Sequence, residues 1–290
     1  MSSGTAAAIF RTNETESAWA YLSPSRLVGD LARRRQLIWQ FTMREVQGRY
    51  RGSYLGIVWA LITPLMTLAV YTFVFHNVFK ARWNGANPNE NFMVYAMNMF
   101  SGIVAFNVFA ESVSNAPKLI VANPNYVKKV VFPLEIMPVA LVGSAIIHSL
   151  LSLLILIVGI FWGAWYPHLS LLYVPIVCVP LVALTAGTCW FLASLGVFLR
   201  DIGNLVTVAV QLLFFLTPIT YSIYRLSPDA QRLMALNPLA AIVENFRRVV
   251  NDGLAPQWTQ LGLVTLVSLI VAFAGYAWFM KIKRAFADVI

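Results

Sequence analysis

Residues 29–79 read GDLARRRQLIWQFTMREVQGRYRGSYLGIVWALITPLMTLAVYTFVFHNVF, and this stretch decides the fold. Its first half is basic, since six arginines and a single acid, Glu45, lie between residues 33 and 51. Its second half, residues 55–79, contains no Asp, Glu, Lys or Arg. An amphipathic helix that lies on a membrane surface and leads into a membrane-spanning helix accounts for both halves.

The composition of the whole chain also indicates a membrane protein. Hydrophobic residues make up 59% of the chain and charged residues only 11%. The mean hydropathy is +0.70, which is far above the values of soluble domains. Residues 136–199 form a run of 64 residues without Asp, Glu, Lys or Arg. The net charge of +9 does not indicate nucleic-acid binding, because the basic residues flank apolar segments. We therefore predict an all-α integral membrane protein.

Five uncharged windows are long enough to cross a bilayer core of about 30 Å, which takes about 20 helical residues. The longest window, residues 136–199, holds two spans, separated at residues 165–168 by an aromatic turn (WYPH) that is typical of a membrane interface. The sequence thus predicts six transmembrane helices per protomer, at residues 55–79, 92–113, 134–162, 171–199, 204–223 and 259–280.

The distribution of basic residues predicts the orientation. With six spans both termini lie on one side, and that side carries 15 of the 21 lysines and arginines. The positive-inside bias therefore places both termini in the cytoplasm. The predicted organisation is a flexible cytoplasmic tail at 1–25 without a signal peptide, an amphipathic interface helix at 26–54, a six-helix transmembrane domain at 55–283 and a cytoplasmic tail at 284–290.

The predicted cytoplasmic connection between the second and third spans contains a signal for a short helix. Asn115 followed by Pro117 favours a helix start and Asn123-Pro124 favours its end, which gives one or two turns with Lys118 near the head. Two interpretations stay open. The segment is either a solvated loop held near lipid headgroups by neighbouring lysines or a docking element that a cytoplasmic partner moves.

The outer segment before the last span has stronger helix signals. Ser227-Pro228 is typical of a capped helix start, Asn237-Pro238 breaks and restarts the helix, and Gly253 favours its end. The second piece, residues 239–250, is too short to span the membrane. We therefore predict two short re-entrant helices that dip into the outer leaflet and return.

Two opposite charges on the second piece predict an ion pair. Glu244 and Arg248 lie four residues apart, so they can pair along the helix. The pair is interpreted either as a surface salt bridge of small energetic worth or as part of an outer gate.

Aromatic residues recur at helical spacing in two predicted spans. Tyr71, Phe75 and Phe79 share one face of the first span, and Phe214 and Tyr221 share one face of the fifth. Such faces can stack against the apolar C–H faces of a sugar chain in a pore. They are also typical of helix packing or of a membrane-interface belt, and this alternative stays open.

Motifs for catalysis or nucleotide binding are missing from the sequence. No glycine is followed by lysine, so the chain lacks the G-x-x-x-x-G-K-[ST] loop that cradles ATP phosphates, and we predict no cofactor in it. Its three histidines fall in or at the ends of separate spans, without metal-ligand spacing or a nucleophile–base group, so we predict neither a metal site nor an enzyme. His148, in mid-span, is expected to hydrogen-bond a neighbouring helix. An ion-coupled carrier or channel is disfavoured, because acids lie only near the ends of spans.

Several short motifs occur in order along the chain: RYRGSYLG at 49–56 with Trp59 and Pro64, SGI at 101–103 with FNVF at 106–109 and ES at 111–112, VKKV at 127–130, FPLE at 132–135, RDI at 200–202, and NPL at 237–239 with Glu244. Through them the sequence resembles the permease subunits of ATP-binding-cassette polysaccharide exporters, which move O-antigen, capsular polysaccharide or teichoic acid precursors. The resemblance covers about residues 30–283.

The resemblance implies a homodimer in the bacterial inner membrane, with a pore between the two permeases and two cytoplasmic ATPase subunits that bind ATP and Mg²⁺. Residues 30–51 would lie along the cytoplasmic leaflet, residues 115–123 would form a coupling helix in a groove of the ATPase, and residues 228–250 would be periplasmic gate helices. The cargo would be a lipid-linked glycan. A small-molecule or drug exporter of related architecture is the closest alternative.

The resemblance and the residue chemistry together nominate four groups of site residues. Arg49, Arg51 and Tyr54 are predicted to contact the headgroup of the substrate where it enters from the cytoplasmic leaflet. The reason is that guanidinium groups bind phosphate oxygens. Anchoring of these arginines to ordinary anionic lipid is the open alternative. The other groups are pore-lining aromatics (Trp59, Tyr71, Phe75, Phe79, Phe214, Tyr221), ATPase-coupling residues (Asn115, Lys118, Asn123, Arg33, Arg34) and periplasmic gate residues (Pro228, Asn237, Pro238, Glu244, Arg248).

Overall fold

The computed structural model describes residues 24–83, 92–128, 132–162 and 168–290. The predicted tail at 1–25 lies outside these residues except for its last two. So do residues 165–167 of the predicted aromatic turn. Every regular element in the described ranges is helical. The α-helices are α1 (Pro24–Arg33), α2 (Arg35–Tyr50), α3 (Trp59–Thr72), α4 (Phe92–Leu119), α5 (Pro124–Lys128), α6 (Ile136–Trp162), α7 (Val174–Phe198), α8 (Ile202–Leu216), α9 (Pro228–Ala235), α10 (Pro238–Val250), α11 (Trp258–Ile282) and α12 (Phe286–Val289).

Five helical stretches are long and apolar enough to cross a membrane. They are Trp59–Val78, Phe92–Leu119, Ile136–Phe161, Leu169–Phe198 and Trp258–Val289. The chain is therefore a multi-pass membrane protein whose described part is all-helical. The sixth apolar helix, α8, has only 15 residues, so the predicted count of six spans stays a prediction.

The end of α8 explains why it is shorter than the predicted span at 204–223. The helix stops before Thr217-Pro218, and Pro218 has no N–H with which to continue it. The side-chain amide of Asn237 instead donates to the Leu216 carbonyl at 3.3 Å and to Thr217 Oγ1 at 3.1 Å. The residue that precedes α10 thus caps the C-terminus of α8, and the chain turns there.

Close packing between α7 and α11 forms one side of the bundle. A Cβ atom added to Gly275 would lie 2.1 Å from the carbonyl oxygen of Gly187, and one added to Gly187 would lie 2.6 Å from the Ala272 backbone. Only glycine permits this backbone-to-backbone contact. Small residues are the usual means by which membrane helices approach closely, because lipid provides no hydrophobic drive for helix association.

Helix α4 is the central helix, and it extends further than the sequence predicts. It continues past Asn115 and through Pro117 to Leu119, so the predicted separate helix from Asn115 to Asn123 is wrong. The reason is tertiary, because Gly196 of α7 lies so close to the last turn of α4 that a Cβ there would be 2.0 Å from the Pro117 carbonyl oxygen. This packing holds the last turn of α4 in helical form. A turn and the five-residue α5 follow.

The basic N-terminal segment is helical, as predicted, but breaks once. At Arg34 the backbone has φ −101° and ψ 14°, and the Arg34 N–H donates to both the Asp30 and the Leu31 carbonyls. Helix α2 packs on α6 through Phe41, which is buried with Ile136 and Ala140. The limits of the interface segment at 26–54 stay a prediction.

Two short helices form where the hairpin is predicted, and their re-entrant position in the outer leaflet stays a prediction. Ser227 Oγ accepts from the Ala230 N–H at the start of α9, and Asn237 Oδ1 accepts from the Leu239 N–H at the start of α10. Gly253 follows α10 with φ +69°, a left-handed conformation that glycine adopts without strain. Helix α10 is mostly buried against α4, α7 and α11.

Candidate functional site

A sharp turn between α2 and α3 positions the predicted headgroup residues. Gly52 (φ +85°) and Gly56 (φ +50°) are both left-handed, so the chain turns between the end of α2 at Tyr50 and the start of α3 at Trp59. Arg51, just before Gly52, and Tyr54, between the two glycines, are exposed. Their side chains are therefore open to a ligand or to lipid.

Arg49, the third predicted headgroup residue, contacts an acid of α4. Its guanidinium lies 2.5 Å from Glu111 Oε1, and His148 Nδ1 of α6 lies 3.1 Å from the same oxygen. His148 thus bonds a neighbouring helix, as expected. The ring of Tyr50 packs edge-on against His148 with ring centroids 5.6 Å apart. Burial raises the pKa of the Tyr50 phenol, so it is neutral at pH 7.

This ion-pair cluster lines a cavity of about 410 Å³ between α3, α4, α6 and the end of α2. We call it the polar cavity, and its lining includes Arg49, Trp59, Asn107, Glu111, His148 and Ser149. Trp59, predicted to line a pore, therefore lines this cavity within one chain.

Three of the predicted coupling residues meet in a second cavity. A groove of about 320 Å³ between α2 and the corner of α4 and α5 is lined by Asn115, Lys118 and Asn123. Arg44 of α2 crosses the corner, where it donates to Tyr126 Oη at 2.5 Å and to Asn123 Oδ1 at 3.0 Å. We call this site the corner groove. Sequence reasoning missed Arg44 as the residue that joins α2 to the corner.

The two other predicted coupling residues lie away from the corner groove. Arg33 is exposed at the end of α1. Arg34 forms an ion pair with Glu135, whose other oxygen accepts from Lys283 Nζ at 2.6 Å. The carboxylate of Glu135 is almost fully buried and joins the α1–α2 junction to the end of α11. Trp190 of α7 also donates to the Glu135 carbonyl at 2.9 Å.

The predicted aromatics form a row between α3 and α8. Ring centroids are 6.2 Å apart for Tyr71–Phe75, 5.8 Å for Phe75–Phe79 and 5.8 Å for Tyr71–Phe214. The row persists although residues 73–78 widen into a π-helical turn. Tyr221 lies outside this row, since its hydroxyl donates to the Phe215 carbonyl at 3.0 Å.

At the α10 end of the bundle the predicted ion pair is wrong. Glu244 pairs with Arg247, three residues on, at 2.6 Å, whereas Arg248 Nε donates to the Ala255 carbonyl at 2.6 Å. Arg247 lies on the face of α10 that packs against α4, so its guanidinium is held close to Glu244 there. Pro228 and Asn237-Pro238 begin the two hairpin helices.

Arg247 is the main residue that sequence reasoning missed. It is 1% exposed, and it donates from Nε to the Asn98 carbonyl at 3.0 Å and from Nη2 to the Pro218 carbonyl at 2.9 Å. Its guanidinium also lies 4.3 Å from the centroid of the Trp83 ring. The available signal was helical periodicity, because Val243 and Val250 place Arg247 on the apolar face of α10.

Comparison with known proteins agrees with this architecture. The sequence profile of the ABC-2 type transporter family matches residues 36–250. The chain is 27% identical to the O-antigen export system permease protein RfbA of Myxococcus xanthus over 91% of this chain and 98% of that protein. It is 27% identical to the RfbA protein of Klebsiella pneumoniae (86% of this chain, 93% of that one) and to the inner membrane transport permease YadH of Escherichia coli K12 (76% and 86%). The chain belongs to the ABC-2 type transporter family.

Proposed function

We propose that the chain is the permease subunit of an ATP-binding-cassette exporter that moves a lipid-linked polysaccharide of the O-antigen, capsule or teichoic acid type. The glycan crosses from the cytoplasmic to the outer side of the bacterial inner membrane. Similarity to relatives named for O-antigen export, over 86–91% of this chain, supports the proposal. A separate ATPase subunit binds ATP and Mg²⁺ and supplies the energy.

The α2 end of the bundle faces the cytoplasm in this proposal. Arg34, Arg44 and Lys283 gather at that end through their contacts with Glu135 and Asn123, as the positive-inside bias requires. Helix α8 acts as the fifth of six spans. Its 15 residues cover about 22 Å, and the turn at 217–221 completes the crossing where α10 covers it.

Two copies of the chain form the working permease. Helix α3 is largely exposed, with only 11% of its span buried, and α8 buries only Gly203, Val206 and Val210. Both helices carry the aromatic row, so a second copy on this side would enclose it. Tyr71, Phe75, Phe79 and Phe214 would then stack against sugar rings in the pathway.

The observation that carries the proposal is the corner groove. Because Arg44 joins α2 to Asn123 and Tyr126, a subunit that pushes on Lys118 and the corner also moves α2. Helix α2 leads directly into α3, which bears the aromatic row. Closure of the ATPase is thereby transmitted to the pathway, while α9 and α10 form the gate at the other end.

Co-purification tests the coupling. The tagged chain is extracted from its native host in mild detergent, and the expected result is a near-stoichiometric nucleotide-binding subunit with ATPase activity. Lys118→Glu should reduce this association at least fivefold. Arg232→Glu is the matched control, since Arg232 is exposed on α9 at the opposite end. A chain that brings no ATPase from several detergents would contradict the proposal.

Gene deletion in the native host tests the cargo. We expect loss of surface glycan, with accumulation of the lipid-linked precursor on the cytoplasmic side. Normal surface glycan together with increased sensitivity to small molecules would instead support a small-molecule exporter.

A further inference from the structure

The polar cavity has an apolar neighbour along α3, and we call the two cavities together the cleft. This neighbouring cavity, of about 480 Å³, also lies between α3, α4 and α6. It is lined by Leu65, Ala69, Thr72, Met93, Ala96 and Val158. We call it the apolar groove. Along α3 the polar cavity is lined by residues 59–67 and the apolar groove by residues 65–72, so the two follow one another.

The cleft extends through more than one leaflet. From Trp59 to Thr72 the helix rises about 20 Å, compared with about 15 Å for half of a hydrocarbon core. The polar half adjoins the end of α2, and the apolar half reaches the first turn of α4 at Met93 and the last turns of α6 at Val158. An amphipathic lipid has this distribution of polarity.

Two buried polar atoms in the cleft are without a partner. His148 Nε2 and Thr72 Oγ1 have no hydrogen bond to any described residue, and both residues line the cleft. The His148 side chain is only 10% exposed. An unsatisfied polar atom at that depth carries a desolvation cost, which a bound polar group would recover.

The charges of the polar cavity select the type of headgroup. Arg49 and Glu111 place one positive and one negative group at its wall, 2.5 Å apart. A diphosphate would bring several negative charges next to Glu111, and the headgroup of an anionic lipid would bring a phosphate there without an ammonium to offset the repulsion. A phosphate–ammonium headgroup matches both charges, because its phosphate accepts from Arg49 and its ammonium donates to Glu111.

We propose that the cleft between α3, α4 and α6 binds one glycerophospholipid with a primary-amine zwitterionic headgroup, as a resident lipid distinct from the exported glycan. The headgroup lies in the polar cavity against Arg49, Glu111 and His148. One acyl chain lies in the apolar groove. The lipid links α2 to α6 and stabilises the turn that leads into α3.

Native mass spectrometry of the delipidated full-length chain tests the proposal. Phosphatidylethanolamine is titrated against phosphatidylcholine and phosphatidylglycerol of the same acyl chains. We expect one tightly held phosphatidylethanolamine per chain, bound about tenfold more strongly than the other two lipids. Glu111→Gln should abolish that preference, because the ammonium loses its partner.

A variant in the apolar groove keeps the test independent of the ion-pair cluster. Ala69 is exposed and lines the groove, so Ala69→Phe fills it without disturbing the core and should lower phosphatidylethanolamine binding about tenfold. Val70→Phe is the matched control, since Val70 is 53% exposed and lines neither cavity, and binding should be unchanged. Equal binding of the three lipids, tighter binding of phosphatidylglycerol or of an isoprenoid diphosphate, or full binding by Ala69→Phe would each overturn the proposal.

Discussion

Arg247 of α10 donates its Nε hydrogen to the main-chain carbonyl of Asn98 on α4, at 3.0 Å, in the buried centre of the α10 end of the bundle. The same side chain holds the Pro218 carbonyl after α8 and the carboxylate of Glu244. One guanidinium therefore joins the α9–α10 hairpin to two other parts of the chain. In our proposal α9 and α10 form the outer gate, and this contact fixes α10 to α4.

Arg247→Ala should strongly destabilise the protein. The change leaves two main-chain carbonyls and Glu244 without their donor, and loss of one partner of a buried ion pair costs about 3–5 kcal/mol. Arg247→Lys should recover little, because an ammonium cannot reproduce the planar fork of donors. Thermal unfolding in detergent measures the effect. Arg248→Ala, which removes only the bond to the Ala255 carbonyl, is the control and should lower the apparent Tm much less.

Glu135→Gln should loosen the α2 end of the bundle. The amide keeps the size of the carboxylate but lacks its charge, so Arg34 and Lys283 lose a shared anion that is almost fully buried. We expect a loss of about 1–3 kcal/mol of stability, measured by the same unfolding assay. Asp229→Asn breaks a fully solvated pair with Arg232 and should have little effect. If the two variants lowered the apparent Tm equally, the buried carboxylate of Glu135 would not stabilise the protein more than the exposed ion pair does.

Gly275→Ala should prevent correct packing of α11 against α7. The added methyl would lie 2.1 Å from the Gly187 carbonyl oxygen, which is backbone and cannot move aside without separating the helices. We expect a large loss of folded protein by size-exclusion chromatography. Gly262→Ala on the same helix meets nothing within 4 Å and should be neutral, or stabilising by up to about 1 kcal/mol.

Arg44→Ala should uncouple ATP hydrolysis from transport in the reconstituted complex. Arg44 joins α2 to the corner groove, so its loss leaves the ATPase bound while the push no longer reaches α3. We expect transport to fall at least fivefold with basal ATPase activity within about twofold of wild type. Arg35→Ala changes an exposed arginine at the start of α2 and should leave both activities unchanged. Parallel loss of both activities in Arg44→Ala would indicate a folding defect instead.

The double variant Arg44→Ala/Asn123→Ala separates a direct contact from a general effect. If the two residues act through their 3.0 Å hydrogen bond, the double variant should lose no more transport activity than Arg44→Ala alone. Additive losses would mean that each residue acts independently.

Local signals predicted the ends of helices well where no other element intervenes. Ser227 and Asn237 cap α9 and α10 as predicted, because a cap depends only on the next two or three residues. The prediction failed at Asn115, because Gly196 of α7 packs on Pro117 and holds the last turn of α4. The partners of Glu244 also differed, since both arginines were in reach and burial selected Arg247.

The sequence by itself determined the apolar spans, the basic segment before them and the family, because the cost of placing charges and free backbone groups in lipid acts on each segment separately. Only the tertiary structure decided which polar residues meet: Arg49 with Glu111 and His148, Arg44 with Asn123, and Arg247 with Asn98. These partners lie on different helices and far apart along the chain. Their pairing depends on how the helices are rotated and packed, which no local pattern encodes.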